Sequence, residues 1–291
     1  MTIADPSVRA FGLSFRNPVL LAGGTAGFGR EVDGVVDLDR LGGIVTKAVS
    51  PGPRHGNRAP RVAEFPGGML NSVGLANPGL ARVAAEELPW LAGRVRGTRI
   101  IVNVVGDTAE EYRDVVAGLE AVVGIDALEL NLSCPNVHAG GLEFGADPAS
   151  VRAVVGLCRA ATRRPLLAKL SPVLPDVAAI AAVARDAGAD GVSLVNTMPG
   201  FLYDEHGGSR LGNGNGGVSG PVLLPIGVLA TRKVRERMPD FPVIGVGGIR
   251  SADDARQYLE AGAVLVQIGT AALADPRVPE RVVKDLERPR G

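Results

Sequence analysis

Residues 165–196 read PLLAKLSPVLPDVAAIAAVARDAGADGVSLVN, and this stretch decides the fold. An apolar run, LLAKL (166–170), is followed by a helical pattern over 176–187 and then by a second apolar run, GVSLVN (191–196). Both runs are apolar on both faces, which is typical of buried parallel strands. The stretch therefore predicts a strand–helix–strand unit whose two strands are parallel.

The same unit recurs along the whole chain. The predicted strands cover 18–23, 43–48, 100–104, 128–132, 166–170, 191–196, 243–247 and 264–269. Helical patterns follow them at 33–41, 78–88, 108–123, 147–162, 176–187, 221–238, 251–261 and 277–287. Eight such units predict a (β/α)8 TIM barrel and a single domain spanning 1–291, with a doubly wound open sheet as the alternative.

One connection is longer than a barrel loop needs to be. Residues 51–77 separate the second strand from its helix, whereas strand-to-helix loops in such units usually have two to six residues. We therefore expect an insertion after strand 2, with a short hairpin around EFPGGMLNSVG (64–74).

The composition excludes several classes of protein. The chain of 291 residues has a formal net charge of zero and no long basic run, which gives no reason to expect nucleic acid. Two cysteines cannot hold a four-thiolate cluster or a Cys-rich zinc site, and no other metal-ligand spacing is present. The absence of a disulfide framework, a signal-peptide pattern and an 18-residue apolar run predicts a cytoplasmic protein without a membrane span.

The strand ends carry the predicted chemistry, because TIM-barrel active sites lie at the carboxyl ends of the strands. Residues at these ends are polar or glycine: Gly23–Gly24, Lys47, Asn103, Asn131, Lys169, Asn196, Gly247–Gly248 and Gly269–Thr270. They predict a polar cup above an apolar barrel. Asparagine side chains carry donors and an acceptor, so Asn71, Asn131 and Asn196 could bind a flat ligand such as a pyrimidine.

The lysines and glycines at the strand ends indicate which class of ligand the site binds. Lys47 and Lys169 interrupt buried strands, and no acid is apparent at a neighbouring strand end, which favours a functional ammonium over a structural salt bridge. Glycines after strands 7 and 8 predict a phosphate-bearing ligand. A flavin site and a Schiff-base lyase both remain possible, although a lyase would need carboxylates or a tyrosine at the strand ends.

The motifs resemble those of a known family. NPVLLAGG, KAVSPGPRHGNRAPRVAE, GMLNSVGLANPG, NLSCPNV, KLSP, NTMPG, GGVSGP, GVGGI and IGTA are similar to motifs of the dihydroorotate dehydrogenases, most of all class 1 and its class 1B catalytic subunit. The resemblance runs from about Phe15 to Ala274, in family order. It implies an FMN-binding barrel that oxidises dihydroorotate to orotate in de novo pyrimidine (UMP) biosynthesis.

The resemblance also implies roles for individual residues. Cys134 matches the class 1 catalytic base, which removes the C5 proton of dihydroorotate while C6 gives a hydride to flavin N5. The implied substrate-binding residues are Lys47, Asn71, Ser72, Val73, Gly74, Leu75, Asn131, Asn196 and Thr197. The implied FMN contacts are Gly23, Lys47, Ala48, Asn103, Asn131, Lys169, Val195, Gly220, Gly247, Gly248, Gly269 and Thr270. Gly23 departs from the small Ala or Ser of many members, so only its backbone can make that contact.

Two further expectations concern the loop and the second cysteine. The glycines of 136–145, which include His138, are suited to a lid that closes over Cys134. Cys158 lies on the apolar face of a predicted helix and is expected to be a core residue.

Class 1B implies a partner. In that branch NAD is reduced through a second subunit that carries FAD and a [2Fe–2S] cluster, and the present chain lacks the cysteines for such a cluster. The resemblance therefore implies a separate electron-transfer subunit in a heterotetramer built around a catalytic homodimer. The alternatives are the fumarate-using class 1A, a dihydropyrimidine (dihydrouracil) dehydrogenase module, a Schiff-base lyase and a non-catalytic barrel that binds a phosphorylated ligand.

Overall fold

A computed structural model describes residues 6–133 and 144–288. The chain begins with an antiparallel hairpin of β1 (Val8–Ala10) and β2 (Leu13–Phe15), which the sequence analysis did not predict. Phe15 is buried in the apolar cluster that also holds the first residues of two barrel strands. The hairpin therefore covers the amino-terminal end of the barrel and leaves the opposite end open to a site.

Eight parallel strands form the barrel. They are β3 (Val19–Leu21), β4 (Gly43–Val45), β7 (Arg99–Val104), β8 (Ala127–Asn131), β9 (Leu166–Leu170), β10 (Gly191–Leu194), β13 (Val243–Val246) and β14 (Leu265–Ile268). Each strand pairs in parallel with two neighbours, and the last barrel strand pairs with the first, so the sheet closes. All eight predicted strands are confirmed, as is the TIM barrel, and the open-sheet alternative is wrong.

Helices cover the outside of the sheet. They are α1 (Leu80–Arg82), which continues through a π turn (Val83–Glu87) into α2 (Leu88–Arg94), then α3 (Ala109–Glu120), α4 (Pro148–Ala161), α5 (Val177–Asp186), α6 (Leu224–Arg237), α7 (Ala252–Glu260), α8 (Thr270–Ala274) and α9 (Val278–Leu286). Within the described ranges, none of these helices has the length and apolar character that a membrane span requires.

The predicted helix starts have a local cause. Thr108 and Asp147 each accept a hydrogen bond from a backbone N–H three residues later, which satisfies a donor that the first turn leaves free. Ser251 and Asp254 form a reciprocal capping box at the start of α7. These caps determine where the helices begin, and therefore how long the loops at the carboxyl end of the barrel are.

The helix predicted over 33–41 is wrong. A 3-10 turn at Arg30–Val32 precedes this segment and a second one, Leu38–Arg40, lies within it, and the segment forms no α-helix. Gly34 between them has a φ of 77°, which a right-handed helix cannot include. Val36 and Leu38 are both buried although they are only two residues apart, a spacing that does not share one helix face.

The insertion after strand 2 contains the predicted hairpin, formed by β5 (Val62–Phe65) and β6 (Gly68–Asn71). It is extended by β12 (Gly216–Ser219) and β11 (Met198–Gly200) from the loop after strand 6. The result is a four-stranded antiparallel sheet, hereafter the cap sheet, which joins two distant loops of the chain. The hairpin is confirmed, whereas its two partner strands were not predicted from the sequence.

Candidate active site

The predicted polar residues do lie where the barrel strands end. Asn131 is the last residue of β8, and Lys47, Asn196 and Thr197 follow β4 and β10 by two or three residues. Because the barrel strands are parallel, all these positions are at one end of the barrel.

Two of the predicted asparagines are in direct contact. Asn196 Nδ2 donates to Asn131 Oδ1 at 3.1 Å, and Asn196 Oδ1 accepts from the Thr197 amide at 2.8 Å. The Asn131 carbonyl accepts a 2.6 Å hydrogen bond from the hydroxyl of Tyr112 on α3. The pair is therefore fixed both through its side chains and from the helix behind it.

The cap sheet brings in the third asparagine. Asn71 pairs with Gly217 across β6 and β12, and Asn71 Nδ2 donates to the Gly217 carbonyl at 3.1 Å. Thr197 packs so closely against Gly217 that a Cβ at that position would overlap its side chain. Gly217 on β12 therefore contacts both Asn71 on the neighbouring β6 and Thr197, which precedes β11 on the other side of β12.

Residues 72–75, predicted to bind substrate with Asn71, form a turn held by a residue that sequence analysis missed. Asn57 donates to the Ser72 hydroxyl at 2.8 Å, and its own amide N–H donates to the Val73 carbonyl at 3.0 Å. Gly74 and Leu75 both have positive φ, of 74° and 54°. A left-handed leucine is uncommon and persists only where its surroundings impose it, as at many functional sites.

The end of this insertion is organised by Asn77, which is 7% exposed. Its Oδ1 accepts from the amides of Ser50 and Gly79, and its Nδ2 donates to the Ser50 hydroxyl and the Leu75 carbonyl. One side chain thus joins the start and the end of the insertion. In the sequence, only its position before Pro78 indicated that Asn77 has a structural role.

Below the strand ends lies an ionic cluster that contradicts the expectation of an apolar barrel without an acid near the lysines. Glu129 is fully buried, and its Oε1 lies 3.7 Å from Lys169 Nζ. Its oxygens accept from Asn103 Nδ2 (2.8 Å), Ser193 Oγ (2.6 Å) and Gln267 Nε2 (2.8 Å). Lys169 therefore has the structural partner that sequence analysis did not find.

The signal for Glu129 was present in the sequence. In LELNL the side chains of residues two apart share a face of the strand, so an inward Asn131 requires an inward Glu129. The role predicted for Asn131 at the strand end thus already implied that Glu129 faces the barrel interior.

Lys47 is half-buried after β4, and its amide N–H donates to the Gly27 carbonyl at 2.8 Å. Among residues 6–133 and 144–288 its ammonium forms no ion pair, in contrast to Lys169. The neighbouring Ala48 is buried. A Cβ on Gly23 would lie 3.4 Å from Asn103 Nδ2, so the end of the first barrel strand adjoins that amide.

Two turns that contain glycine meet around residues 220–224. Gly220, Gly247 and Gly248 all have positive φ, of 100°, 116° and 76°. A Cβ on Gly248 would lie 2.6 Å from the Leu224 amide nitrogen at the start of α6, and one on Gly247 would lie 3.1 Å from the Leu223 side chain. These positions require glycine on both conformational and steric grounds.

The turn after β14 reaches the same region. Thr270, which follows Gly269, donates from its hydroxyl to the Ser219 hydroxyl at 2.8 Å. The Val195 amide donates to the Val246 carbonyl at 2.9 Å, which ties the end of the sixth barrel strand to the seventh. The predicted contacts after strands 6, 7 and 8 therefore adjoin one another.

Tyr258 on α7 supports this glycine region and was not predicted. Its hydroxyl donates to the carbonyls of Val246 and Gly247, both at 2.8 Å, and burial raises the pKa of the phenol. Its ring fills space that a side chain at Gly245 or Gly227 would need. Nothing in the sequence marks its hydroxyl, since the residue reads as part of an apolar helix face.

Of the two cysteines, Cys158 lies among the described residues and Cys134 does not. Cys134 and the predicted lid residues 136–143, with His138, lie outside the described residues. Cys158 on α4 is fully buried, as predicted, and burial raises the pKa of its thiol to about 12. Within the described part of the chain, no group of three His, Cys, Asp or Glu residues could hold a metal ion.

The fold and the polar strand ends define a TIM-barrel enzyme, and comparisons give its family. A family model described as dihydroorotate dehydrogenase matches residues 7–289. Two relatives are named dihydroorotate dehydrogenase B (NAD(+)), catalytic subunit. The one from Pelobacter propionicus is 46% identical over 287 residues, covering 98% of this chain and 93% of the relative. The one from Geobacillus kaustophilus is 44% identical over 276 residues, covering 94% and 87%.

A solved structure has the same fold. DHODH from Eimeria tenella, crystallised in complex with ferulenol, superimposes with a TM-score of 0.81 at 24% identity over 97% of this chain and 83% of that one. From the family match and the relatives together, the chain belongs to the dihydroorotate dehydrogenase family, and the resemblance to its class 1B catalytic subunits is confirmed.

Proposed function

We propose that this chain is the FMN-dependent catalytic subunit that oxidises dihydroorotate to orotate, with Cys134 as the base. The observation that carries the proposal is the convergence of Asn71, Asn131, Asn196 and Thr197 at the carboxyl end of the barrel. Family membership supports this reaction over the Schiff-base and non-catalytic alternatives.

The asparagine group suits the substrate. Dihydroorotate has ring N–H and C=O groups that alternate around a flat edge, and a carboxamide can donate to one and accept from the other. The bond between Asn131 and Asn196 fixes their amides relative to each other, so little side-chain entropy is lost on binding. Lys47 follows β4 at the same end of the barrel and forms no ion pair among the described residues, so its ammonium suits the substrate carboxylate.

The remaining strand ends fit FMN. Gly220, Gly247, Gly248 and Gly269–Thr270 form a cradle that side chains would fill, and backbone N–H groups at such turns bind phosphate well. Gly23, Ala48, Asn103, Lys169 and Val195 are the proposed contacts to the ring and ribityl chain. When bound, FMN supplies at N5 the acceptor for the hydride that leaves C6 of dihydroorotate.

The chain's own chemistry is proton transfer. Oxidation to orotate removes two electrons and two protons, of which the C5 proton goes to the Cys134 thiolate. Lys169 then stabilises negative charge at the cofactor side of the site. Residues 136–145 would exclude water as a lid over Cys134.

We further infer a separate electron-transfer subunit that carries FAD and a [2Fe–2S] cluster and passes electrons to NAD, in a heterotetramer around a catalytic homodimer. The names of the relatives, with NAD(+) and a catalytic subunit in them, support this assembly. The chain has two cysteines, and Cys158 is buried in a helix, so the cluster cannot be its own. The same cysteine usage supports a cytoplasmic location.

The first experiment is an anaerobic visible spectrum of the purified chain before and after addition of dihydroorotate. We expect a flavin spectrum that bleaches with dihydroorotate, while dihydrouracil leaves it unchanged. Bleaching by dihydrouracil alone would support the dihydropyrimidine alternative. A protein that stays colourless after reconstitution with FMN would refute the proposal.

A further inference from the structure

The ionic cluster around Glu129 is not explained by the fold. Glu129, Ser193 and Gln267 lie on the fourth, sixth and eighth barrel strands, and all three are fully buried. Alternate strands of a TIM barrel contribute side chains to one interior layer, and bulky branched side chains usually fill it. Here three of the four positions in that layer are polar.

The layer is built around one charge. Glu129 accepts hydrogen bonds at both carboxylate oxygens, from Asn103, Ser193 and Gln267. Lys169 Nζ lies 3.7 Å from Oε1, so the carboxylate is also paired with an ammonium. A fully buried carboxylate is costly even when hydrogen-bonded, and an apolar layer would serve stability at least as well.

The two residues above Glu129 point to its purpose. Asn103 and Lys169 are proposed FMN contacts, and both interact with Glu129 Oε1, at 2.8 Å and 3.7 Å. Asn103 on β7 is in register with Glu129 on β8, and Lys169 on β9 is in register with Ser193 on β10. The carboxylate thus holds the amide and the ammonium from beneath.

Resting on the proposed function, we propose that Glu129 is a positioning residue of the flavin site, which fixes Asn103 and Lys169 and lowers the reduction potential of the bound cofactor. Glu129 precedes the last residue of β8 by two positions, which is roughly 7 Å along a strand. Its charge opposes the extra negative charge of the reduced flavin and offsets the field of Lys169. The charge therefore acts on the cofactor without touching it.

The test is the midpoint potential of FMN in Glu129→Gln. A unit charge about 10 Å away in a protein interior changes the binding of an added charge on the order of tenfold. We expect E129Q to favour the reduced flavin by about tenfold over wild type, which is an upward shift of about 30 mV for a two-electron couple.

This variant should fold. Glutamine has the shape of glutamate, and within the described residues Gln267 Oε1 has no hydrogen-bond partner. Reorientation of the Gln267 amide would offer that oxygen to the new Nε2 donor, so the network can be completed without the charge.

Two controls separate charge from structure. Ser193→Ala removes one hydrogen bond to Glu129 and keeps the charge, and Glu129→Asp keeps the charge on a shorter side chain. Both should lower the melting temperature while the potential stays at the wild-type value. A potential of E129Q equal to or below that of wild type, or an equal rise in S193A, would overturn the inference while the proposed function stands. Wild-type protein that takes up no FMN would refute both.

Discussion

The two cysteines should differ in reactivity by more than three orders of magnitude, and the difference can be measured directly. Burial raises the pKa of Cys158 to about 12, so at pH 8 only about one in 10⁴ of these thiols is ionised. An accessible thiol with the ordinary pKa of about 8.5 is ionised to about a quarter at the same pH. The thiolate is the reactive species, so the ratio of rates is roughly 2,000 before the steric exclusion of Cys158 is added.

The assay is a thiol titration with a chromogenic disulfide reagent at pH 8, on the native protein and on the protein in denaturant. We expect one thiol, Cys134, to react quickly in the native protein and the second to react only after unfolding. Cys158→Ala should keep the fast phase, and Cys134→Ser should remove it. Dihydroorotate or orotate should slow the fast phase by covering the site.

Similar reaction rates for both thiols of the native protein would refute the burial of Cys158. A fast phase that persists in C134S would refute the assignment of that phase to Cys134. A native protein in which neither thiol reacts would show that Cys134 is enclosed without ligand, and it would contradict the open position that a substrate-facing base requires.

Three further predictions concern turnover and stability. C134S should keep bound FMN and lose turnover by roughly 10²–10⁴-fold, as expected for a positioned acid–base group; unchanged turnover refutes its role. Tyr258→Phe removes the hydroxyl donor of the Gly247 carbonyl, whereas the Val246 carbonyl keeps its bond from the Val195 amide. The variant should therefore lower the free energy of unfolding by about 1 kcal/mol and weaken FMN binding. Tyr203→Phe, at an exposed position, should change neither, and equal effects of the two variants in thermal melts would refute the difference. Asn77→Ala leaves buried backbone donors unsatisfied and should cost about 2–4 kcal/mol in urea unfolding, and a cost near zero would show that the insertion is anchored elsewhere.

The barrel could be predicted from the sequence because its strands are buried on both faces. Each appears as a short apolar run, and the helices between them begin at residues that cap locally, such as Thr108 and Ser251. Where the local pattern was weak the prediction failed. In residues 33–41 the buried Val36 and Leu38 are only two residues apart, and Gly34 interrupts the segment.

Contacts between distant segments could not be predicted in this way. The cap sheet pairs Asn71 with Gly217, 146 positions apart, and β12 is rich in glycine, which has a low strand propensity. The pairing depends on the closed barrel, which brings the loops after its second and sixth strands to the same end. The strand-end residues were accessible to sequence reasoning, whereas the residues that support them, Tyr112 and Tyr258, were not.

The distribution of polar groups explains how the barrel accommodates such a site. Most of the apolar core lies between the sheet and its helices, in a cluster that surrounds the barrel, and a smaller cluster lies inside the barrel and includes Phe15 of the amino-terminal hairpin. Stability therefore comes mainly from the cluster between the sheet and the helices and from the smaller cluster that contains Phe15. The interior beneath the strand ends can then hold Glu129 and its donors, because the ion pair and hydrogen bonds reduce the cost of burying this charge and the outer apolar core offsets the rest.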